Sequence, residues 1–212
     1  MPGLGVQHCL VSFNADMESA SRLLDEMFLL RISDARGRMH RIGARRQEMI
    51  ACLALLRMHL AWEEFLESVF VRYMCGGRTA TGHSPMLCAA PESTVGAAYK
   101  ALLGGSSFLA WNTSNIDTRA RHYFDHGEPF VTMLGSARNT LEQISVVRNR
   151  FAHRSEHAAS HFRSLVRSVL GYTPRGMSPG RFLLAVDPAN PGLRIIDTYA
   201  SVLRVSARSI VP

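Results

Sequence analysis

Arg148-Asn149-Arg150-Phe151-Ala152-His153-Arg154-Ser155-Glu156-His157 is the stretch on which the fold turns, because a regular helical pattern breaks inside it. Upstream, Phe130, Leu134, Ala137, Leu141 and Ile144 recur at steps of four and three, the spacing that keeps side chains on one face of an α-helix. The series continues at 148 and 151. Phe151 fits it, but position 148 holds an arginine, whose charge is costly to bury without a partner. Ser155 then offers a new N-cap, followed by Ala159, Phe162, Val166 and Val169 on one side and by Gly171 as a stop. The pattern predicts two helices with a break between Phe151 and Ser155 that brings His153 round toward Arg148.

Outward from this break the chain reads as helical. Asn14 or Asp16 can cap a first helix carrying Met17, Ala20, Leu24, Met27 and Phe28 and ending near Ser33. From about Arg41 to Met74 there is no proline and a single glycine, so a long helix is expected, ended by Gly76-Gly77. Its apolar residues point in more than one direction: Ile50, Leu53, Leu60 and Phe65 lie on one side, Cys52, Leu56, Leu66, Phe70 and Tyr73 toward another. Such a helix is central to a bundle or shared with a second subunit. A loop to Pro91 precedes a short helix from Ser93 or Thr94 to Gly104. A further helix follows the capping run Trp111-Asn112-Thr113-Ser114-Asn115 and stops near Gly127. In the tail, 181–186 reads as a strand, and the segment beyond Leu193 as a helix to about Ile210 or as the second arm of a hairpin.

The 212 residues, 47% hydrophobic, suffice for one well-buried domain. The net charge of +7 rests almost wholly on arginine, Lys100 being the only lysine, and favours polyanionic partners. Arg36, Arg38, His40, Arg41, Arg45 and Arg46 form the densest basic cluster. Cys9, Cys52, Cys75 and Cys88 include no Cys-x-x-Cys pair and read as reduced structural thiols. Met1 to Leu10 lacks a leader pattern, and the longest apolar run, Met49 to Leu56, is far short of the ~20 residues a membrane helix needs. A soluble cytoplasmic protein is expected, with no membrane contact.

An arginine and a histidine brought together suit phosphodiester cleavage. The imidazole, with an ordinary pKa of about 6.5, exchanges protons near neutrality. The guanidinium fork complements the extra charge of a pentacoordinate phosphate. The other reading of the same residues is an arginine capping carbonyls at a helix end and a histidine packed at a corner. Arg150, Arg154 and His157 flank the pair and are candidates for holding phosphates beyond the scissile bond.

Arg148-Asn149-x-x-x-His153, set on the penultimate core helix of an all-α chain, resembles the signature of the HEPN superfamily (higher eukaryotes and prokaryotes nucleotide-binding domain). Trp62-Glu63-Glu64-Phe65, and Trp111-Asn112 followed by Ile116 and Arg121-His122-Tyr123-Phe124, are similar to its RiboL-PSP type. The resemblance spans about 14–170. It implies an up-and-down helical bundle with a long central helix, taking 1–212 as a single domain with 171–212 as a C-terminal appendage. It also implies a metal-independent endoribonuclease of the toxin or phage-defence kind, acting on RNA as a homodimer without a cofactor. His153 would assist attack by a ribose 2'-hydroxyl, Arg148 would hold the phosphate, and Asn149 would orient the pair. The products would be a 2',3'-cyclic phosphate and a 5'-hydroxyl. A catalytically silent bundle binding RNA, a nucleotide or a protein partner is the alternative. An antitoxin or defence-system partner is implied as well. Members silenced by a nucleotidyltransferase carry a tyrosine two residues past the histidine, where this chain has Ser155, which argues against that mode of control.

His153, His157 and His161 are spaced by four, as are His122 and His126, and such pairs on a helix can chelate zinc. Among nine histidines that spacing arises readily by chance, and a cap at Ser155 would leave His153 out of register with the other two. No metal site is assigned.

Overall fold

The computed structural model describes residues 5–212; Met1 to Leu4, part of the N-terminal stretch read above, lie outside the described residues. Helices carry most of the chain, in the order α1 (Gln7–Met27), α2 (Ala44–Met74), α3 (Val95–Leu103), α4 (Thr113–Tyr123), α5 (Phe130–Ala152), α6 (Glu156–Leu170), α7 (Pro179–Leu184) and α8 (Ile195–Ile210). Two small hairpins interrupt them: β1 (Arg31–Ser33) with β2 (Met39–Arg41), and β3 (Val186–Asp187) with β4 (Asn190–Arg194), each antiparallel. None of these helices is long and apolar enough to cross a membrane. All four cysteines are free thiols, Cys9 and Cys52 buried and Cys88 exposed.

The chain forms two compact units, and the long helices contribute to both. The first comprises Met1–Ala15, Ala61–Glu142 and Val202–Pro212. Its core is aromatic. Phe70 lies between Trp111, Phe124 and Phe130 at ring separations of 4.8 to 5.6 Å, and Trp62 stacks on Phe65 with Phe13 against both. The Trp111 indole N–H donates to Glu67 at 3.3 Å and the Arg119 guanidinium lies over its ring. The two tryptophan-centred motifs thus build this core, where large rings bury much apolar area.

The second unit comprises Asp16–Leu60 and Gln143–Ser201. Within it α7 lies so close to the start of α2 that a Cβ at Gly180 would overlap the Glu48 carbonyl, and Ser178, the α7 cap, donates to the Glu48 carboxylate at 2.6 Å. Asp187 accepts from Asn190 and from Thr198, tying the β3–β4 hairpin to α8.

Several boundaries differ from the expectation. α1 begins near Gln7, because Val6, Cys9, Leu10 and Phe13 extend the buried stripe of Met17, Ala20, Leu24 and Met27 backward. It ends at Met27, since the next fourteen residues reach the β1–β2 hairpin, and Phe28 is exposed. Residues 179–184 form a helix, for which Ser178 and Pro179 supply the cap and first turn, and the strand starts only at Val186. α2 runs as expected, but Leu53 (46% exposed) and Leu60 (49%) share with Met49 (55%) an outward stripe, while Ala51, Leu55, Met58 and Trp62 face inward.

Candidate functional site

α5 stops at Ala152 and α6 starts at Glu156, so the break falls where the pattern placed it. Its local chemistry explains the geometry. The His153 N–H completes the last helical turn by donating to the Asn149 carbonyl at 2.8 Å. Ser155 then takes an extended backbone, and its hydroxyl accepts from the Ala158 N–H. Satisfying the first amides of α6 in this way makes a separate helix cheaper than a continuous one. Glu156 adds a carboxylate to the positive helix end and is held below the ordinary carboxylate range by its hydrogen bond from Arg163.

The buried seam of α5 follows a different line from the one expected. Phe130, Leu134, Ala137, Leu141 and Ile144 are buried, and so is Val147, which ends the series. Phe151 is 38% exposed, so it does not continue the core. Steps of three and four both fit a period of 3.6, and the core passes through 147 rather than 148. Arg148 accordingly sits half-buried at the seam's rim rather than inside it.

A cavity of about 190 Å³ opens at the break, lined by Val146, Asn149, His153, Ser155, His157, Ala158 and His161. Three histidines and one asparagine line it, all four exposed, and no acidic residue does. The rings of His157 and His161, one turn apart on α6, have centroids 4.1 Å from each other. Arg148 is not part of this wall. Its Nη1 donates to Asn149 Oδ1 at 2.9 Å, and Asn149 in turn lines the cavity beside His153. Among the described residues there is no direct hydrogen bond between Arg148 and the His153 imidazole. The arginine meets the cavity through the asparagine.

The flanking cations divide. Arg150 is half-buried; its Nη1 donates to the His153 carbonyl at 3.2 Å, and the residue lines a neighbouring cavity of about 260 Å³ with Arg163, Phe162 and Thr173. Arg154 is exposed at the break, and His157 is in the histidine cavity. Among the described residues no three His, Cys, Asp or Glu side chains converge as a metal-holding group.

The sequence reading missed His59. It lies buried on α2, 6% exposed, and burial first and the charge of Arg148 second push its imidazole down to about 4. The guanidinium is therefore close enough to act on a second histidine, one that stays neutral near pH 7. A lone histidine in the run Leu55-Leu56-Arg57-Met58-His59-Leu60 offered no signal of this. Another cavity of the unit, about 660 Å³, is lined by Ala44, Leu170, Tyr172, Met177, Arg181 and Leu184, none of them a residue of the break. No histidine lines it, whereas three line the smaller cavity at the break.

Comparison of the chain with protein-family models, with curated proteins and with solved structures finds no match to any of them.

Proposed function

We propose that this protein is a metal-independent endoribonuclease of the HEPN type, a bundle around α2 that works in the cytoplasm in toxin-like or phage-defence chemistry. The observation that carries the reading is the Arg148–Asn149 hydrogen bond at the lip of the cavity that His153 shares with Asn149. In this reading an RNA phosphodiester enters the cavity. The His153 imidazole takes the proton of the ribose 2'-hydroxyl as that oxygen attacks phosphorus. The phosphorus–O5' bond breaks, and the departing oxygen takes up a proton, leaving 2',3'-cyclic phosphate and 5'-hydroxyl ends. Arg148 offers its remaining N–H groups to the phosphoryl oxygens, and its bond to Asn149 fixes the plane of the guanidinium beforehand. Arg154 and His157 accompany the strand as it leaves; Arg150, already bonded to the His153 carbonyl, positions the histidine.

A homodimer fits the outward apolar stripe of Met49, Leu53 and Leu60 on α2. Ser155 serves as a helix cap, and control by a nucleotidyltransferase-type antitoxin through a tyrosine at that position is not part of this reading. The absence of Arg148 from the cavity wall favours the second reading, a silent bundle that binds RNA, a nucleotide or a protein without turnover.

The deciding experiment incubates purified protein with structured and single-stranded RNA in EDTA and maps the ends formed. Cleavage leaving 2',3'-cyclic phosphates, lost in His153→Ala with the fold intact, supports the nuclease. Cleavage abolished by EDTA overturns the metal-free mechanism, and binding without cleavage of any RNA supports the silent bundle.

A further inference from the structure

The β1–β2 hairpin places three arginines where, among the described residues, no carboxylate meets them. Its register sets Arg31 opposite Arg41, Ile32 opposite His40 and Ser33 opposite Met39, and all six residues are exposed. Like charges directly opposite on a ladder are destabilising. The one acid of the segment, Asp34, is consumed inside the turn: it accepts from the Arg36 and Arg38 amides at 2.8 and 2.9 Å, from Arg38 Nε at 3.0 Å and from His40 at 3.1 Å. Among the described residues Arg31, Arg36 and Arg41 have no carboxylate partner. Arg45 and Arg46 follow in the first turn of α2, which contains no acid although a helix start favours one. Repulsion of this kind, left uncompensated within the chain, is the footprint of a surface built for a polyanion.

We propose that the exposed ribbon of Arg31, Arg36 and Arg41, continued by Arg45 and Arg46, binds the phosphate backbone of RNA and is a holding surface separate from the cleavage site. The assignment to RNA rests on the ribonuclease reading above. An acidic lipid surface is the other polyanion that the charge could meet, and the face pattern disfavours it. Ile32 and His40 share one face of the ribbon, while Met39 shares the other with the Arg31–Arg41 pair, so the ribbon lacks the single apolar face of an interfacial element.

The test uses the full chain with His153→Ala, which leaves the RNA uncut, and reads anisotropy of a labelled 20-nucleotide oligouridylate against salt. Arg31→Gln/Arg36→Gln/Arg41→Gln is expected to weaken binding at least tenfold at low salt. The slope of log affinity on log salt should fall by about two, at roughly 0.7 per phosphate contact on a single strand. Unchanged affinity and slope overturn the ribbon. So does ribbon-dependent sedimentation with phosphatidylserine vesicles in a protein that ignores RNA. With His153 restored, the triple variant should cleave the dinucleotide uridylyl-3',5'-uridine at the parental rate, because that substrate is too short to need a holding surface; a fall there means damage to the site and overturns the separation. Ribbon-dependent RNA binding with no cleavage of any substrate leaves the ribbon standing and removes the ribonuclease reading.

Discussion

Two arginine-rich regions of this protein, the α5–α6 break and the β1–β2 ribbon, use the same residue in opposite ways. At the break every cation but Arg154 is held by a local acceptor: Arg148 by the Asn149 carboxamide, Arg150 by the His153 carbonyl, Arg163 by Glu156. In the ribbon Arg31 and Arg41 face each other, and the only nearby acid is spent on the turn. A guanidinium whose plane is fixed can complement one geometry, as transition-state binding requires. One on an exposed strand with no carboxylate partner supplies attraction over about a Debye length and little geometric selectivity. On the proposed ribonuclease reading, the contrast separates chemistry from capture.

The largest effect expected from breaking this contrast is on turnover. His153→Ala should lower RNA cleavage by about 10²- to 10⁴-fold, the range for losing a positioned general base, with the urea midpoint unmoved. Arg148→Lys keeps the charge but not the fork and should still lose most activity in a gel-based cleavage assay; parental activity would mean that geometry at this position is irrelevant.

A second difference is in acid. His59 stays neutral in the folded state down to about pH 4, whereas an unfolded histidine protonates near 6.5. The unfolded state therefore binds more protons between those values, and stability falls as pH is lowered from about 6.5 toward 4. Integration gives a loss on the order of 3 kcal/mol from this group. Urea unfolding at pH 7 and pH 5 should reveal much of that loss, and His59→Leu should shrink it. Arg148→Gln should recover only a part, because burial is the larger cause. Ribbon substitutions should leave the pH slope as it is.

Ser155→Ala removes the acceptor of the Ala158 N–H and should cost about 1 kcal/mol in thermal unfolding, with a fall in cleavage as the break loosens. At the small end, Arg31→Gln with Arg41→Gln relieves a like-charge pair and should keep or slightly raise the melting temperature. A clear destabilisation would mean that the ribbon charges do structural work.

How far each region was legible differs for a physical reason. The break was readable because capping and helix stops are local: Ser155 and Gly171 act on amides and carbonyls within one turn of themselves. The same holds for α3 and α4, capped by Thr94, one of the two candidates there, and by Asn112, one residue of the capping run. α1 misled because Asn14 and Asp16 are competent caps in the middle of a helix whose stripe already ran through Phe13 and Cys9. The ribbon was seen as a charge cluster but not as two strands, since three-residue strands without a core face leave no periodicity.

The amino-acid sequence by itself determined the helical class, the long α2, the interruption at 153–155 and the presence of arginine, asparagine and histidine around it, because these follow from spacing and from groups that satisfy their own backbone. Only the tertiary structure decided that the core passes through Val147 and leaves Phe151 outside, that Arg148 meets the histidine cavity through Asn149, and that His59, nearly ninety positions away, lies within reach of its charge. Those relations join residues distant in the chain or nearly equivalent on a helix, and packing alone discriminates between them.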